Sequence, residues 1–312
     1  MTTPIPIVVD APERTFEKLR SLLPDEHLAR PDDVDLSAGA VAVVTAPRRD
    51  ARDHLGALMG PATEWVHVMS TGVDNVPLDV VPEGVTVTCS RGASAVPISE
   101  WCLAMMLAFV KQVPEIWIEA PAERWNMARL GTLDGATVGL VGVGSIGTNV
   151  ARRLAGFDTR ILGYRRRAVP ADDPRIEVVT SLEQVLAEAD HLVVAAASTR
   201  ETYHLLDAAA FAAVKPGVHL VNVARGTLVD QDALLAALDD GRVARASLDV
   251  VDPEPLPAGH ALYTHPNVFV SAHVSWNAPG SMLRNYEGFT ANVARYRAGT
   301  PLEGVVDREA GY

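Results

Sequence analysis

The chain has 312 residues, 48% of them hydrophobic and 21% charged, with a formal net charge of −12. That length suits two domains, and that hydrophobic content supplies a sizeable core and excludes a disordered chain. The acidic balance argues against nucleic acid or an anionic membrane as the main partner, and the longest apolar run, WCLAMMLAFV (101–110), is too short to cross a bilayer.

In chain order, IPIVVD (5–10), VAVVTA (41–46), WVHVMS (65–70) and VTVTCS (85–90) are β-branched runs that predict strands. PERTFEKLRSLL (12–23) and RDARDHLGALM (49–59) carry helical apolar spacing between them. A long helix is predicted from Pro97, with Ser94 as its cap. Beyond residue 133 the alternation resumes. TVGLVGV (137–143), RILGY (160–164), HLVVAA (191–196), VHLVNV (218–223), ASLDV (246–250) and VFVSA (268–272) read as strands, with helices over 148–156, 181–189 and 231–238. Near-continuous apolar strands alternating with helices mean parallel sheets buried on both faces. The expected fold is α/β: two doubly wound parallel-sheet domains joined by hinge helices. One is formed by residues 1–96 with about 277–312, the other by 97–276. Cys89 and Cys102 are the only cysteines and lack CxxC spacing, so no disulfide framework or zinc site is expected. The N-terminus has no basic segment of secretory type, and a cytoplasmic location is expected.

The strongest local signal is VGLVGVGSIGTNVARRL, in which Gly142, Gly144 and Gly147 form GxGxxG between a predicted strand and a predicted helix. Gly142 permits the tight turn, Gly144 removes a Cβ where a pyrophosphate approaches, and Gly147 lets helix and strand pack closely. The N–H groups of Ser145 and Ile146 fall at the helix start, where orphan donors and the helix dipole favour an anion. The pattern predicts a dinucleotide site.

Hydride transfer to a 2-keto acid needs a carboxylate anchor, a proton donor at the carbonyl, and a partner that tunes the donor. One candidate for each follows a predicted strand, where open α/β sheets place ligands. Arg225, after VHLVNVA, offers a guanidinium fork for a carboxylate. His273, after VFVSA, offers an imidazole for proton transfer. Glu254, in SLDVVDPEPLP, offers a carboxylate that would favour the protonated imidazole. Each alone also suits an ordinary loop arginine, strand-end histidine or solvated acid; their coincidence at successive strand ends is the signal. Asp249 reads either as an acceptor for the nicotinamide amide or as a strand-end cap.

GLVGVGSIG, VNVARGTLVDQDALLAAL, SLDVVDPEPLP and VSAHVSWNAP resemble, in order and spacing, the signatures of the D-isomer-specific 2-hydroxyacid dehydrogenases over about residues 90–280. The resemblance implies a flavodoxin-like substrate domain and a Rossmann cofactor domain. It gives Arg225 a role in substrate binding and catalysis and makes Glu254 and His273 an acid–base pair. It also places Val223, Ala224, Arg225, Asp249, His273 and Ser275 against the cofactor. VMSTGVDNV (68–76) resembles the loop whose N–H groups hold the substrate carboxylate, which implies Thr71, Gly72 and Val73. RGASAVPISEWCLAMML (91–107) resembles the hinge helix, and the tail LEGVVDREAGY resembles the glyoxylate/hydroxypyruvate reductase branch. Two departures stand out. Ala272 replaces the proline usual before the histidine, and Trp276 stands where relatives carry small residues, either stacking on substrate or cofactor or belonging to the core. Relatives are usually homodimers, and no metal is implied.

The run ILGYRRRAV (161–169) ends the strand after the glycine turn, about 20 residues on, where NAD-binding versions carry an acid for the ribose. It contains no acid, and Arg165, Arg166 and Arg167 follow the strand. Forked donors with no repelling carboxylate suit a 2′-phosphate, so NADP(H) is expected over NAD(H), with Arg165 and Arg166 as its readers; an exposed basic loop is the plain alternative. The expected activity is reduction of small 2-keto acids such as glyoxylate or hydroxypyruvate. Two other readings of the scaffold are oxidation of another small anion such as phosphite, and a dinucleotide-sensing module like the family's transcriptional co-repressors. Glu254 argues against the formate branch, whose members carry glutamine there.

Overall fold

The β-branched runs form parallel strands throughout, in two units described separately: Met1–Ser94 with Pro279–Tyr312, and Ala95–Ala278. The structure is a computed structural model that describes residues 6–38, 40–45, 51–121, 125 and 127–312. Positions 5, 46, 49 and 50 of the predicted elements lie outside the described residues.

In the first unit, β1 (Ile7–Asp10), β2 (Leu28–Ala29), β3 (Ala42–Thr45), β4 (Trp65–Val68) and β5 (Thr86–Cys89) form a parallel sheet in the order β2-β1-β3-β4-β5. This is the flavodoxin-like order of a doubly wound sheet. Helix α1 (Glu13–Leu22) buries Phe16 and Leu19 on one stripe, and α2 (Ala51–Ala57) follows β3. The C-terminal helix, Ser281–Arg297, lays Tyr286, Phe289 and Val293 into the same core as Trp65, Ile7 and Val9. The C-terminal segment therefore belongs to the core of the N-terminal strands.

The second unit begins with α3 (Ala95–Val110), two residues before Pro97, so the proline sits inside the first turn, where its missing N–H costs nothing. Seven parallel strands follow: β6 (Thr137–Val141), β7 (Arg160–Tyr164), β8 (Ile176–Val179), β9 (His191–Val194), β10 (Val218–Asn222), β11 (Val243–Leu248) and β12 (Val268–Val270). Their order is β12-β11-β10-β9-β6-β7-β8, with α4 (Ser145–Leu154), α5 (Leu182–Glu188), α6 (Ala208–Ala213) and α7 (Gln231–Asp239) between them. Leu192 and Val194 of β9 enter one core cluster with Leu220 and Phe211, whereas Val193 enters another with Leu140, Val221 and Met106. Successive side chains of a strand point to opposite faces, so this split is the signature of a sheet covered on both sides. The order reverses between β6 and β9, the position where doubly wound sheets open a ligand crevice at their carboxyl ends.

Two short strands escape the sequence reading. Both β2 and β8 are sheet edges with one neighbour each, so neither needs the continuous apolar run that marks an interior strand. β11 starts three residues before the predicted ASLDV run because Arg245 continues it, its guanidinium lying 4.5 Å over the Phe269 ring. Among the described residues, no helix is long and apolar enough to cross a membrane.

Candidate active site

The glycine turn follows β6 directly. Gly142 has φ +103, a left-handed value that glycine adopts without strain, and a Cβ there would fall 2.6 Å from the Ala196 backbone. A Cβ on Gly147 would fall 2.8 Å from the Gly142 carbonyl oxygen, so this glycine sets the helix–turn distance. Gly144 differs: a Cβ there would meet nothing within 4 Å. It fronts open space at the start of α4, whose first-turn N–H groups, Ser145 and Ile146 among them, have no partner within the helix. A turn held tight by two glycines and opened by the third fits a dinucleotide pyrophosphate.

Arg225, Glu254 and His273 follow β10, β11 and β12, three neighbouring strands of one sheet. Asn222 fixes the first of these strand ends. Its side-chain N–H donates to the Arg225 carbonyl at 3.0 Å, and its Oδ1 accepts from the Ala224 N–H at 3.1 Å. Gly226 then lets this loop touch the next, since a Cβ would fall 2.0 Å from the Val251 carbonyl carbon. The Arg225 guanidinium donates to the Ala224 carbonyl at 2.7 Å. Val223 and Ala224, the two residues before it, are buried.

Glu254 is the residue the loop after β11 delivers to the histidine. Its Oε2 lies 2.9 Å from His273 Nδ1, and its Oε1 accepts from the Val251 N–H at 3.3 Å. His273 has φ +52, a left-handed backbone that a β-carbon disfavours. Several contacts hold it there. The His273 N–H donates to the Asp249 carbonyl at 2.9 Å, and its own carbonyl accepts from the Trp276 indole at 2.9 Å. The Asp249 carboxylate, 1% exposed, accepts from the Ser271 hydroxyl and from the N–H groups of Val274 and Ser275. These bonds tie the Asp249 carboxylate to the loop that carries His273. Trp276 is half-buried and packs against the core cluster of this unit that includes Ile98, Met106 and Val143.

Thr71, Gly72 and Val73 follow β4 in the first unit. Their N–H groups donate to no backbone carbonyl among the described residues, while Val73 is anchored in the core. The Cys89 thiol donates to the Thr71 carbonyl at 3.5 Å, and burial pushes this thiol up from its ordinary value.

The arginine run separates. Arg165 is half-buried and turned inward: Nε donates to the Val143 carbonyl at 3.0 Å, a terminal nitrogen reaches the same oxygen, and the other donates to Val169 and Pro170 carbonyls at 3.2 and 3.0 Å. Arg166 is exposed and ion-paired with Glu201, and Arg167 is exposed.

The sequence reading did not single out Asn222, Ser271 or Glu201. Asn222 lies inside the quoted VNVARG stretch, so its position was visible; its two hydrogen bonds were not.

Residues 103–275 match the family described as D-isomer specific 2-hydroxyacid dehydrogenase, NAD binding domain. The chain is 34% identical over 225 residues to a glyoxylate reductase of Thermofilum pendens, covering 69% of this chain and 66% of the relative. It spans less than half of the length of other curated relatives, 46% in each of two cases. Among solved structures, it resembles an NADPH-dependent glyoxylate/hydroxypyruvate reductase from Sinorhizobium meliloti in complex with NADP and sulfate. The TM-score is 0.83 at 26% identity, over 99% of this chain and 100% of the other. It also resembles a D-isomer specific 2-hydroxyacid dehydrogenase from Xanthobacter autotrophicus in complex with NADPH and MES, with a TM-score of 0.87 at 25% identity and the same coverage of 99% and 100%.

Proposed function

The chain belongs to the D-isomer specific 2-hydroxyacid dehydrogenase family, and from that premise we propose that it reduces small 2-keto acids such as glyoxylate and hydroxypyruvate, preferring NADP(H) and accepting NAD(H). The observation that carries this reading is the 2.9 Å pairing of His273 with Glu254 at the carboxyl edge of a doubly wound sheet.

The cofactor supplies the hydride when bound. The chain's own residues supply the rest. An ionised carboxylate only accepts, so Glu254 fixes a hydrogen on His273 Nδ1 and leaves Nε2 to carry the transferable proton. That proton goes to the carbonyl oxygen as the carbonyl carbon is reduced, and the neutral ring takes it back in the oxidation direction. Arg225 offers a planar fork to the substrate carboxylate, and the N–H groups of Thr71, Gly72 and Val73 are further donors for an anion. The absence of any acid in 161–169, the arginine run, and the NADP and NADPH held by the two solved relatives support the cofactor preference.

We infer a cytoplasmic homodimer as the working form. What supports the dimer is an apolar stretch following α3: Trp117 and Trp125 are each 71% exposed, and Ile118 and Met127 are also exposed. Apolar surface of this density marks an interface in a soluble enzyme.

Purified protein assayed with NADPH and a panel of 2-keto acids tests the activity. NADPH consumption with glyoxylate or hydroxypyruvate is expected. No consumption with any 2-keto acid, together with NADP reduction by phosphite, would replace this reading with the other scaffold chemistry.

A further inference from the structure

Three consecutive arginines end β7, and their surroundings differ. Four of the five N–H donors of Arg165 go to backbone carbonyls. Two of them meet at Val143, the residue between Gly142 and Gly144, and two reach Val169 and Pro170 at the far end of the same loop. The Gly142 N–H in turn donates to the Tyr164 carbonyl at 3.3 Å, so main chain and side chain both join the two segments. Val143 is buried. Turning the Arg165 fork outward would strip its carbonyl of both guanidinium donors.

Arg166 has the opposite setting. Its side chain is exposed and meets Glu201 from the loop after β9. That loop is ordered by its own hydroxyl: Thr202 Oγ1 donates to the Ala197 carbonyl at 2.7 Å and accepts from the Thr199 N–H at 2.8 Å. An exposed ion pair is weakly held and exchanges readily. A phosphate dianion bound by the same fork makes the stronger, charge-assisted contact.

We propose that the run divides its labour. Arg165 is a positioning residue that ties the loop after β7 to the glycine turn, and Arg166 reads the 2′-phosphate in competition with Glu201, which thereby sets the strength of the NADP(H) preference. The proposal rests on the NADP(H) reading above. Arg165 then serves both cofactors, because the pyrophosphate turn is common to them. Arg166 serves only the phosphorylated one. Glu201 neutralises Arg166 until the phosphate arrives and repels the phosphate afterwards, so it works against NADPH and leaves NADH nearly unaffected.

Dissociation constants for NADPH and NADH, measured by titration of the full chain without substrate, test this independently of turnover. Arg166→Ala should weaken NADPH by about tenfold or more and change NADH by less than about twofold. Arg165→Ala should weaken both by a similar factor, keeping their ratio within about threefold of the wild type. Arg165→Lys, which keeps the charge and loses the fork, should do the same in milder form. Glu201→Gln should tighten NADPH by about threefold with NADH unchanged. Selective loss of NADPH in either Arg165 variant would overturn the division, as would an unchanged cofactor ratio in Arg166→Ala or Glu201→Gln. A wild-type protein that binds NADH as tightly as NADPH would instead overturn the NADP(H) reading beneath it.

Discussion

His273 turns Nδ1 to the Glu254 carboxylate at 2.9 Å, from a backbone held at φ +52 by its neighbours. The contact leaves Nε2 as the nitrogen available to a substrate, which is the arrangement a general acid requires. His273→Ala should therefore lower kcat for 2-keto acid reduction by about two to four orders of magnitude. NADPH affinity should change little. Turnover near the wild-type rate in that variant would remove His273 from the chemistry.

Glu254→Gln keeps an oxygen near the ring and removes the charge. An amide can turn either its oxygen or its nitrogen to Nδ1, so the ring tautomer that keeps Nε2 as the donor is no longer enforced, and kcat for reduction should fall by about tenfold or more. The measurement is kcat and KM for the keto acid in both proteins. A variant that keeps the wild-type kcat means that the two residues are neighbours without being coupled.

Arg225→Lys retains a cation and loses the planar fork. A substrate carboxylate held by that fork should bind less well and be less well oriented, so KM for the keto acid should rise and kcat should fall. Unchanged kinetics would place the carboxylate elsewhere.

The parts legible in the sequence are those where packing dictates residue type. The interior strands β6, β9 and β10 need apolar side chains on both faces, and the turn after β6 needs glycine at 142 and 147, where a Cβ would strike backbone. Glu254 and His273 were legible as motif members. Their 2.9 Å contact depends on a left-handed backbone at 273 that no local pattern announces, since glycine is the residue that advertises such a position and histidine stands there instead. Arg165 shows the same limit from the other side. A backbone carbonyl leaves no letter in a sequence, so the bonds of Arg165 to the carbonyls of Val143, Val169 and Pro170 could not be read there. The cap bonds of Asp249 were hidden for that reason too, because the N–H groups that make them belong to the backbone of Val274 and Ser275.

A buried pair of histidines makes the stability of the fold sensitive to acid. His191 and His219 meet through their Nδ1 atoms at 3.2 Å inside the second unit, so one ring donates and the other accepts. His219 continues to the Ser247 hydroxyl at 2.9 Å and stacks on Phe109 with ring centres 4.6 Å apart. Burial lowers both rings from the ordinary histidine value of 6.5, His191 to about 4 and His219 well below its ordinary value, with His191 and Arg245 also disfavouring charge on His219 and Asp190 partly offsetting the effect at His191. His67, buried in the first unit between Thr88 and Ser90, is lowered to about 3. Below pH 6.5 the unfolded chain takes up protons that these folded rings refuse, so the unfolded state binds more protons and gains on the folded one. Stability should be full above about pH 6.5 and decline as pH falls from there toward 4, by an order of 3 kcal/mol from His191 alone. Urea midpoints at a series of pH values measure this. A His191→Asn, His219→Asn double variant should start less stable at pH 7 and lose less between pH 6.5 and 4 than the wild type, because two of the proton-refusing groups are gone. A wild-type midpoint that stays level across that window, or a double variant with the same slope, would refute the assignment.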